Sequence, residues 1–242
     1  MVNIKIILVL VLVAIGLAWF FHRKILSENM ENTQARNLKP FRDVWEDTQA
    51  RSIAYKMLND TCSILMGMGI KPVLIYGTLL GHARHGDIIP WDDDMDIVIP
   101  STDMDKLLGN QEFERRGLQT GFIPKLKMIK VFDPSRPRVK PFNCSWPFID
   151  IFAYEVSPDK STVKIIDSDQ KKYKYADFFP LQPALFASRI KVYVPNNVNN
   201  ILADTYGKSW FDTCVSSSWN HREEKIIPKT YQTHCKNATQ NI

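Results

Sequence analysis

A chain of 242 residues, 45% of them apolar, is long enough to bury one core of ordinary size with some residues left over. Its net charge of +5 is mild, and the lysines and arginines are dispersed without a run of basic-tail length, so the charge carries no nucleic-acid signature. A surplus this small helps attract a phosphorylated substrate, and is equally what a solvated surface carries.

The run from Ile6 to Phe21 has no charge; Lys5 precedes it, and His22, Arg23 and Lys24 follow. A spanning helix needs roughly 20 apolar residues, with ~17 as the lower limit, so the run suits a thin, early-secretory membrane. Its aromatic end, Trp19-Phe20-Phe21, leads into basic residues as an interfacial anchor does. A signal-anchor or transmembrane segment is therefore expected over residues 1–24, making a single-pass membrane protein. The rival is a signal peptide cleaved near Gly16-Leu17-Ala18, which would give a secreted protein. Residues 25–40 are polar, lack apolar periodicity and read as a stem. The cysteines, Cys62, Cys144, Cys214 and Cys235, are even in number and compatible with two disulfides. No Cys-x-x-Cys pair speaks for zinc. Glycosylation acceptors occur at Asn59-Asp60-Thr61, Asn143-Cys144-Ser145 and Asn237-Ala238-Thr239. Together these features favour a glycoprotein with a lumenal (Golgi or ER) or extracellular domain.

From Phe41 to Met68, the residues Val44, Thr48, Ile53, Met57, Leu58, Ile64 and Leu65 recur at near-helical spacing, and Gly67 and Gly69 end the helix. Val73 to Tyr76 reads as a short buried strand. A helix is expected after Gly77-Thr78, where glycine lets the backbone approach a ligand and a helix N-terminus offers N–H groups to phosphate. Asp92, Asp93, Asp94 and Asp96 then crowd together just before the apolar Ile97-Val98-Ile99. Like charges at this spacing repel, and burial without compensation is costly. A divalent cation removes that cost, so a metal is the first candidate. Strand alternation puts Asp94 and Asp96 on one face, the geometry that holds Mg²⁺ between side-chain oxygens and substrate phosphates. Asp93 alternates away and reads as structural.

Ser101 to Leu108 reads as a helix capped by Ser101 or Thr102. Lys125 to Phe132 reads as a strand with Lys125 and Lys127 on one exposed face, and Pro134 to Pro147 as a loop. In Phe148-Ile149-Asp150-Ile151-Phe152 one carboxylate interrupts an apolar strand, against strand propensity. Asp150 is either an outward-facing residue or, given the upstream cluster, a third metal ligand. A polar segment follows to Asp177. A strand pair ends at Lys191-Val192-Tyr193-Val194-Pro195, and Asn196 to Tyr206 reads as a short helix ended by Gly207. Trp210, Phe211 and Trp219 in the tail are expected to cover the core.

A Gly-Thr turn after a strand, an Asp-x-Asp strand and a later lone aspartate together resemble the nucleotidyltransferase fold. The longer run Tyr76-Gly77-Thr78-Leu79-Leu80-Gly81, then Arg84-His85-Gly86, then Ile89-Pro90-Trp91-Asp92-Asp93-Asp94-Met95-Asp96 resembles the LicD/fukutin family. So do Ile149-Asp150-Ile151-Phe152, Val192-Tyr193-Val194-Pro195 and Tyr206-Gly207. The resemblance covers residues 50–212. It implies an α+β class: a nucleotidyltransferase-like mixed sheet flanked by helices, preceded by the N-terminal membrane helix. It also implies a catalytic domain over 41–212 and a C-terminal tail over 213–242. The implied activity is Mg²⁺- or Mn²⁺-dependent transfer of a phospho-alcohol (phosphocholine, ribitol phosphate or similar) from a CDP-alcohol donor to a hydroxyl of a glycan or glycoprotein acceptor. By matching position, Asp94, Asp96 and Asp150 would be metal ligands, and Asp92 would serve acid/base chemistry or support the ligands. Gly77 and Thr78 would cradle phosphate, and Arg84 or His85 would neutralise it. No large N-terminal stem domain like that of the fukutin branch is expected. The alternative is a catalytically inactive lumenal member that binds a glycan or partner. A third reading, action on nucleic acid, is disfavoured by the apolar run, the sequons and the lack of a basic-aromatic stripe.

Overall fold

The computed structural model describes residues 19, 22–24, 39–46, 48–140 and 143–238. Most of the expected membrane segment, and the expected stem as far as Leu38, lie outside the described residues. Among the described residues, no helix is long and apolar enough to cross a membrane. The chain divides into two units, Met1–Pro40 and Phe41–Ile242, and the second holds the sheet and the site.

The first long helix, α1, spans Thr48–Gly67. It starts later than its apolar spacing implies, because residues 39–41 form a 3-10 turn and residues 42–46 an irregular segment. Its inward stripe is Ala50, Ala54, Met57, Leu58, Thr61 and Leu65, all buried at three- and four-residue spacing. The strand β1 (Val73–Leu74) leads into α2 (Tyr76–His85), and β2 covers Met95–Pro100. Residues 101–106 make a 3-10 helix without a side-chain cap, so neither Ser101 nor Thr102 plays the capping part expected of it. After α3 (Gln111–Arg115), the hairpin of β3 (Gln119–Ile123) and β4 (Met128–Phe132) turns through residues 124–127. Lys125 and Lys127 thus belong to the turn and not to a strand face.

The expected loop before Pro147 contains a short ladder, β5 (Arg138–Val139) with β6 (Cys144–Ser145). The long strand β7 (Phe148–Val156) is followed by β8 (Thr162–Ile166), β9 (Lys172–Lys174) and α4 (Tyr175–Phe178), where the sequence reads as polar and irregular. Then come β10 (Gln182–Phe186), β11 (Ile190–Val194) and α5 (Val198–Tyr206). Asn197 caps α5 by accepting from the Asn200 N–H, and Gly207, at φ 88°, ends it. Four short strands close the chain: β12 (Thr213–Val215), β13 (Trp219–Asn220), β14 (Lys225–Ile226) and β15 (Gln232–His234), before α6 (Cys235–Ala238).

The main sheet is mixed and nine-stranded, in the order β10-β11-β1-β2-β7-β4-β3, with β8 on β7 and β9 on β8. The β1–β11 and β2–β7 pairs are parallel, and the others along the path are antiparallel. α1 lies against β11, β7 and β4, while α2 lies against β2 and α5. β2 as far as Ile99 and the first four residues of β7 are buried, as expected of strands covered on both faces. The architecture is the expected mixed sheet flanked by helices.

One disulfide forms, Cys214–Cys235, and not the two that an even count allows. Cys62 in α1 and Cys144 on β6 are free and buried in separate elements. Burial raises their thiol pKa values to about 12 and about 11, which keeps both protonated.

At the centre of the sheet Ile151 is fully enclosed and stands in register between Ile97 and Ile129. Ile151→Ala is expected to cost about 2–5 kcal/mol, read as a lower urea midpoint at unchanged slope. A cost below about 1 kcal/mol would show that β7 is not the centre of the core.

Candidate active site

Parallel pairing of β2 with β7 sets Asp96 opposite Asp150, and antiparallel pairing of β7 with β4 sets Asp150 opposite Lys130. Registered neighbours share a face. Asp94, two residues before Asp96, joins them on that face. Asp94, Asp96 and Asp150 each bring a carboxylate oxygen within 4.8 Å of the others, and all three are buried. Asp93, Asp94 and His221 form a second group by the same measure.

The acidic turn ahead of β2 is held from outside by indoles. Trp45 Nε1 donates to the Asp92 carbonyl and Trp146 Nε1 to the Asp93 carbonyl, each at 2.6 Å. The two rings stack with centroids 5.0 Å apart. Thr78 Oγ1 accepts from the Asp96 N–H at 2.7 Å and ties α2 to β2. A Cβ on Gly77 would fall 2.2 Å from Asp92 Oδ2, so only glycine lets this carboxylate lie against the first turn of α2. Tyr76, just before it, takes a left-handed φ of 46°. Its hydroxyl donates to Asp167, and its ring edge meets Phe152 at 5.5 Å. Backbone strain of this kind is held only where the surroundings over-determine it, often at functional sites.

Charge in the site is unbalanced. Six carboxylates, Asp92, Asp93, Asp94, Asp96, Asp150 and Glu224, face Lys130 and His221. Lys130 is 1% exposed, with Nζ 2.9 and 3.0 Å from the two Asp150 oxygens and 3.4 Å from the Phe148 ring centroid. Burial alone would lower its pKa, but Asp150 and Glu224 outweigh burial and hold it raised. Burial raises Asp150 in spite of Lys130. Burial raises Asp94 against the pull of His221. It raises Asp96 well above the usual carboxylate range, with Asp94 and Asp150 adding to it. Asp92 is raised likewise by burial, then by Asp94 and Asp93. Burial opposes the His221 imidazolium, yet Asp94 and Asp93 hold its pKa at about 10. An all-oxygen set with surplus negative charge suits a hard divalent cation such as Mg²⁺ or Mn²⁺.

The carboxylates stand between two cavities. The first, about 420 Å³, is lined by Gly77, Arg84, Trp91, Asp92 and the Ser216–Ser218 strip. The second, about 550 Å³, is lined by Lys125, Lys130, Asp150, Asp167 and Lys171. Tyr76, Asp94, Asp96, Tyr206, Trp219 and His221 line both.

The fold therefore brings Asp92, Asp94, Asp96, Asp150, Gly77 and Arg84 together. Thr78 is buried and spends its oxygen on β2. Arg84 lines the first cavity but also donates to the carbonyls of Trp210 (2.9 Å) and Thr213 (3.1 Å). Burial lowers its pKa to about 10, so it stays charged at neutral pH. His85 lines neither cavity and sits edge-on to Trp91 at 5.6 Å. Burial and the adjacent Arg84 lower its pKa to about 4, so it is neutral and offers phosphate no charge. Sequence reasoning misses Lys130, His221 and Glu224. Lys130 was legible as a lysine inside an apolar strand, Met128-Ile129-Lys130-Val131-Phe132, a pattern like that around Asp150. Nothing local marks His221 or Glu224.

A mixed sheet presenting an Asp-x-Asp strand beside a third aspartate, after a glycine at a helix start, is the frame of a nucleotidyltransferase domain. The family model described as LicD/FKTN/FKRP, nucleotidyltransferase domain, matches residues 69–197, just over half of the 242 residues. The chain belongs to this family. It is 27% identical over 173 residues to the human ribitol 5-phosphate transferase FKRP, across 68% of this chain and 34% of that one. It is 31% identical over 142 residues to an uncharacterized protein of Rickettsia typhi, across 58% of this chain and 41% of that one. The chain thus spans well under half the length of either relative. Among solved structures, lincomycin-bound LnuA, a lincosamide antibiotic adenylyltransferase, aligns with a TM-score of 0.40 and 13% identity over 64% of this chain and 94% of that one; a likeness at this level adds nothing to the family match.

The raised carboxylates have a direct consequence for pH. Their folded pKa values lie above the unfolded ones, so the contribution of these three groups to metal-free stability is greatest at low pH and is lost as pH rises through the raised values. Metal binding displaces those protons. The rise in Tm on adding Mn²⁺ is expected to grow from about pH 5 to about pH 8. A metal-induced shift that is flat or falling across this window would contradict the site.

Proposed function

We propose that this chain is a metal-dependent transferase that moves a phospho-alcohol from a CDP-activated donor to a glycan hydroxyl. The observation that carries the reading is the convergence of Asp94, Asp96 and Asp150 between two cavities, which leaves room for two reactants on either side of one charged centre. Family membership and the relative's printed activity, ribitol 5-phosphate transfer, support the phospho-alcohol class.

In such a transfer the acceptor oxygen forms a bond to phosphorus, the bond from phosphorus to the CMP oxygen breaks, and the hydroxyl proton departs to a base. A divalent cation held by Asp94, Asp96 and Asp150 supplies charge stabilisation to the phosphoryl oxygens. Lys130 donates to both oxygens of Asp150, and each oxygen keeps a further lone pair for a ligand. Asp92 lines the first cavity yet stands outside the three-carboxylate group, and we assign it the proton. Arg84 in the first cavity and Lys125 and Lys171 in the second offer positive charge to a diphosphate donor.

With Mn²⁺ or Mg²⁺ and a panel of CDP-alcohols, the full-length chain is expected to release CMP slowly and faster with an acceptor glycan. Asp94→Asn and Asp150→Asn are each expected to lower kcat by at least about 100-fold. Absence of CMP from every donor, together with Asp94→Asn binding Mn²⁺ as tightly as wild type, would sink the enzyme reading.

We also propose a lumenal, membrane-anchored site of action. The apolar run, the Cys214–Cys235 disulfide and the exposure of Asn59, Asn143 and Asn237 support it. The full-length chain expressed in animal cells should then fractionate with membranes and move faster on a gel after N-glycosidase treatment. Unchanged mobility would refute lumenal exposure.

A further inference from the structure

The segment from Cys214 to Cys235 lies beyond the family match at residues 69–197, yet it reaches the centre of the site. His221 makes two hydrogen bonds and one ion-pair contact with the acidic turn. Its main-chain N–H donates to Asp93 Oδ2 at 2.9 Å, Nδ1 meets Asp93 Oδ1 at 2.7 Å, and Nε2 stands 3.1 Å from Asp94 Oδ2. Three residues on, Glu224 reaches Lys130. Its Oε1 is 3.8 Å from Nζ and has no hydrogen bond, while Oε2 accepts from Trp219 Nε1 at 2.9 Å. A segment that merely covered the core would bury apolar side chains here. This one places an imidazole and a carboxylate into an acidic cluster, where each is costly unless it is paired.

The same segment is fastened at its root. Trp91 Nε1 donates to the Val215 carbonyl at 3.0 Å, Ser217 Oγ donates to the Trp91 carbonyl at 3.1 Å, and Arg84 holds Trp210 and Thr213. β12 pairs with β15, and the disulfide closes the loop across that ladder. The Trp91 bonds run beside the turn that bears Asp92 and Asp93, and the Arg84 bonds run to α2, which packs on β2, so the loop and the carboxylates are fixed to one another.

We propose that this disulfide-closed loop completes the active site, with His221 as a positioning residue that holds Asp93 and, through its second nitrogen, aims Asp94 at the metal. Glu224 acts in parallel on Lys130, which sets Asp150. The inference rests on the metal reading of Asp94, Asp96 and Asp150. Groups that hydrogen-bond ligating carboxylates typically change metal affinity or activity by about 10–100-fold when removed.

The test is Mn²⁺ titration of the full-length chain by calorimetry, with metal-free Tm and the kcat and KM for donor cleavage measured alongside. His221→Ala is expected to weaken Mn²⁺ binding by about 10–100-fold and to lower kcat more than it raises KM. His221→Asn places an amide nitrogen where Nδ1 stood and should recover most of the affinity through Asp93. The double variant Cys214→Ser, Cys235→Ser should weaken Mn²⁺ binding in the same direction as His221→Ala. Wild-type Mn²⁺ affinity in His221→Ala overturns the inference. So does an Asn variant as tight as wild type, because the nitrogen that faces Asp94 would then play no part. Asp150→Asn separates the two levels. If it leaves Mn²⁺ binding unchanged, the metal reading itself falls. If it abolishes binding while His221→Ala does not weaken it, only the role of the loop falls.

Discussion

Repulsion among buried carboxylates is the constraint on which the site depends. β2 and β7 are covered on both faces, so the Asp96 and Asp150 side chains cannot turn to bulk water without leaving the sheet. Their lateral register forces them together, and Asp94 adds a third charge from the strand's entrance. Two cationic side chains pair directly with these carboxylates, each inserted from a different element: Lys130 from the neighbouring strand and His221 from the C-terminal loop. A fold selected for stability alone would replace such a cluster with apolar residues, which is often neutral or favourable. The remaining negative charge is what a cation bound among Asp94, Asp96 and Asp150 would neutralise.

Several features far from this centre follow from it. Gly77 is glycine because the Asp92 carboxylate occupies the place of a side chain there. Trp45 and Trp146 orient the carbonyls of Asp92 and Asp93 through their indole N–H groups. Orienting the backbone this way leaves the side chains of the turn free to face inward. Tyr76 accepts an unfavourable backbone angle at the point where both cavities meet the carboxylates. Each of these is a local cost accepted for one arrangement, the pattern expected where structure serves chemistry more than stability.

Much of the central frame was readable. Alternation placed Asp94 and Asp96 on one face, but Asp93 does not turn away from the site: β2 begins only at Met95, and Asp93 lies with Asp94 around the His221 ring. A carboxylate among large apolar residues marked Asp150. The helix end at Gly207 carried a local signal with a single physical meaning, whereas the helix expected after Gly77-Thr78 already begins at Tyr76. Other readings failed for identifiable reasons. Lys125 and Lys127 seemed to share a strand face, but the hairpin turns at residues 124–127, and alternation has no meaning inside a turn. Ser101 seemed a cap, but Pro100 still belongs to β2 and the chain enters a 3-10 helix directly. The even cysteine count allowed two bridges, but Cys62 and Cys144 are sealed in separate elements.

By itself the sequence determined which residue types stand at each strand and turn: the acidic run ahead of β2, the lone Asp150, the glycine in the first turn of α2, and the family to which they point. Those depend on spacing within a few residues, where backbone geometry alone decides direction. Only the tertiary structure decided the partners. That Lys130 faces Asp150 is a matter of strand register, that Thr78 serves β2 instead of a ligand is a matter of how α2 lies on the sheet, and that His221 reaches Asp93 and Asp94 depends on a loop closed by a distant disulfide. Register and loop closure join residues far apart in the chain, and no local pattern carries that information.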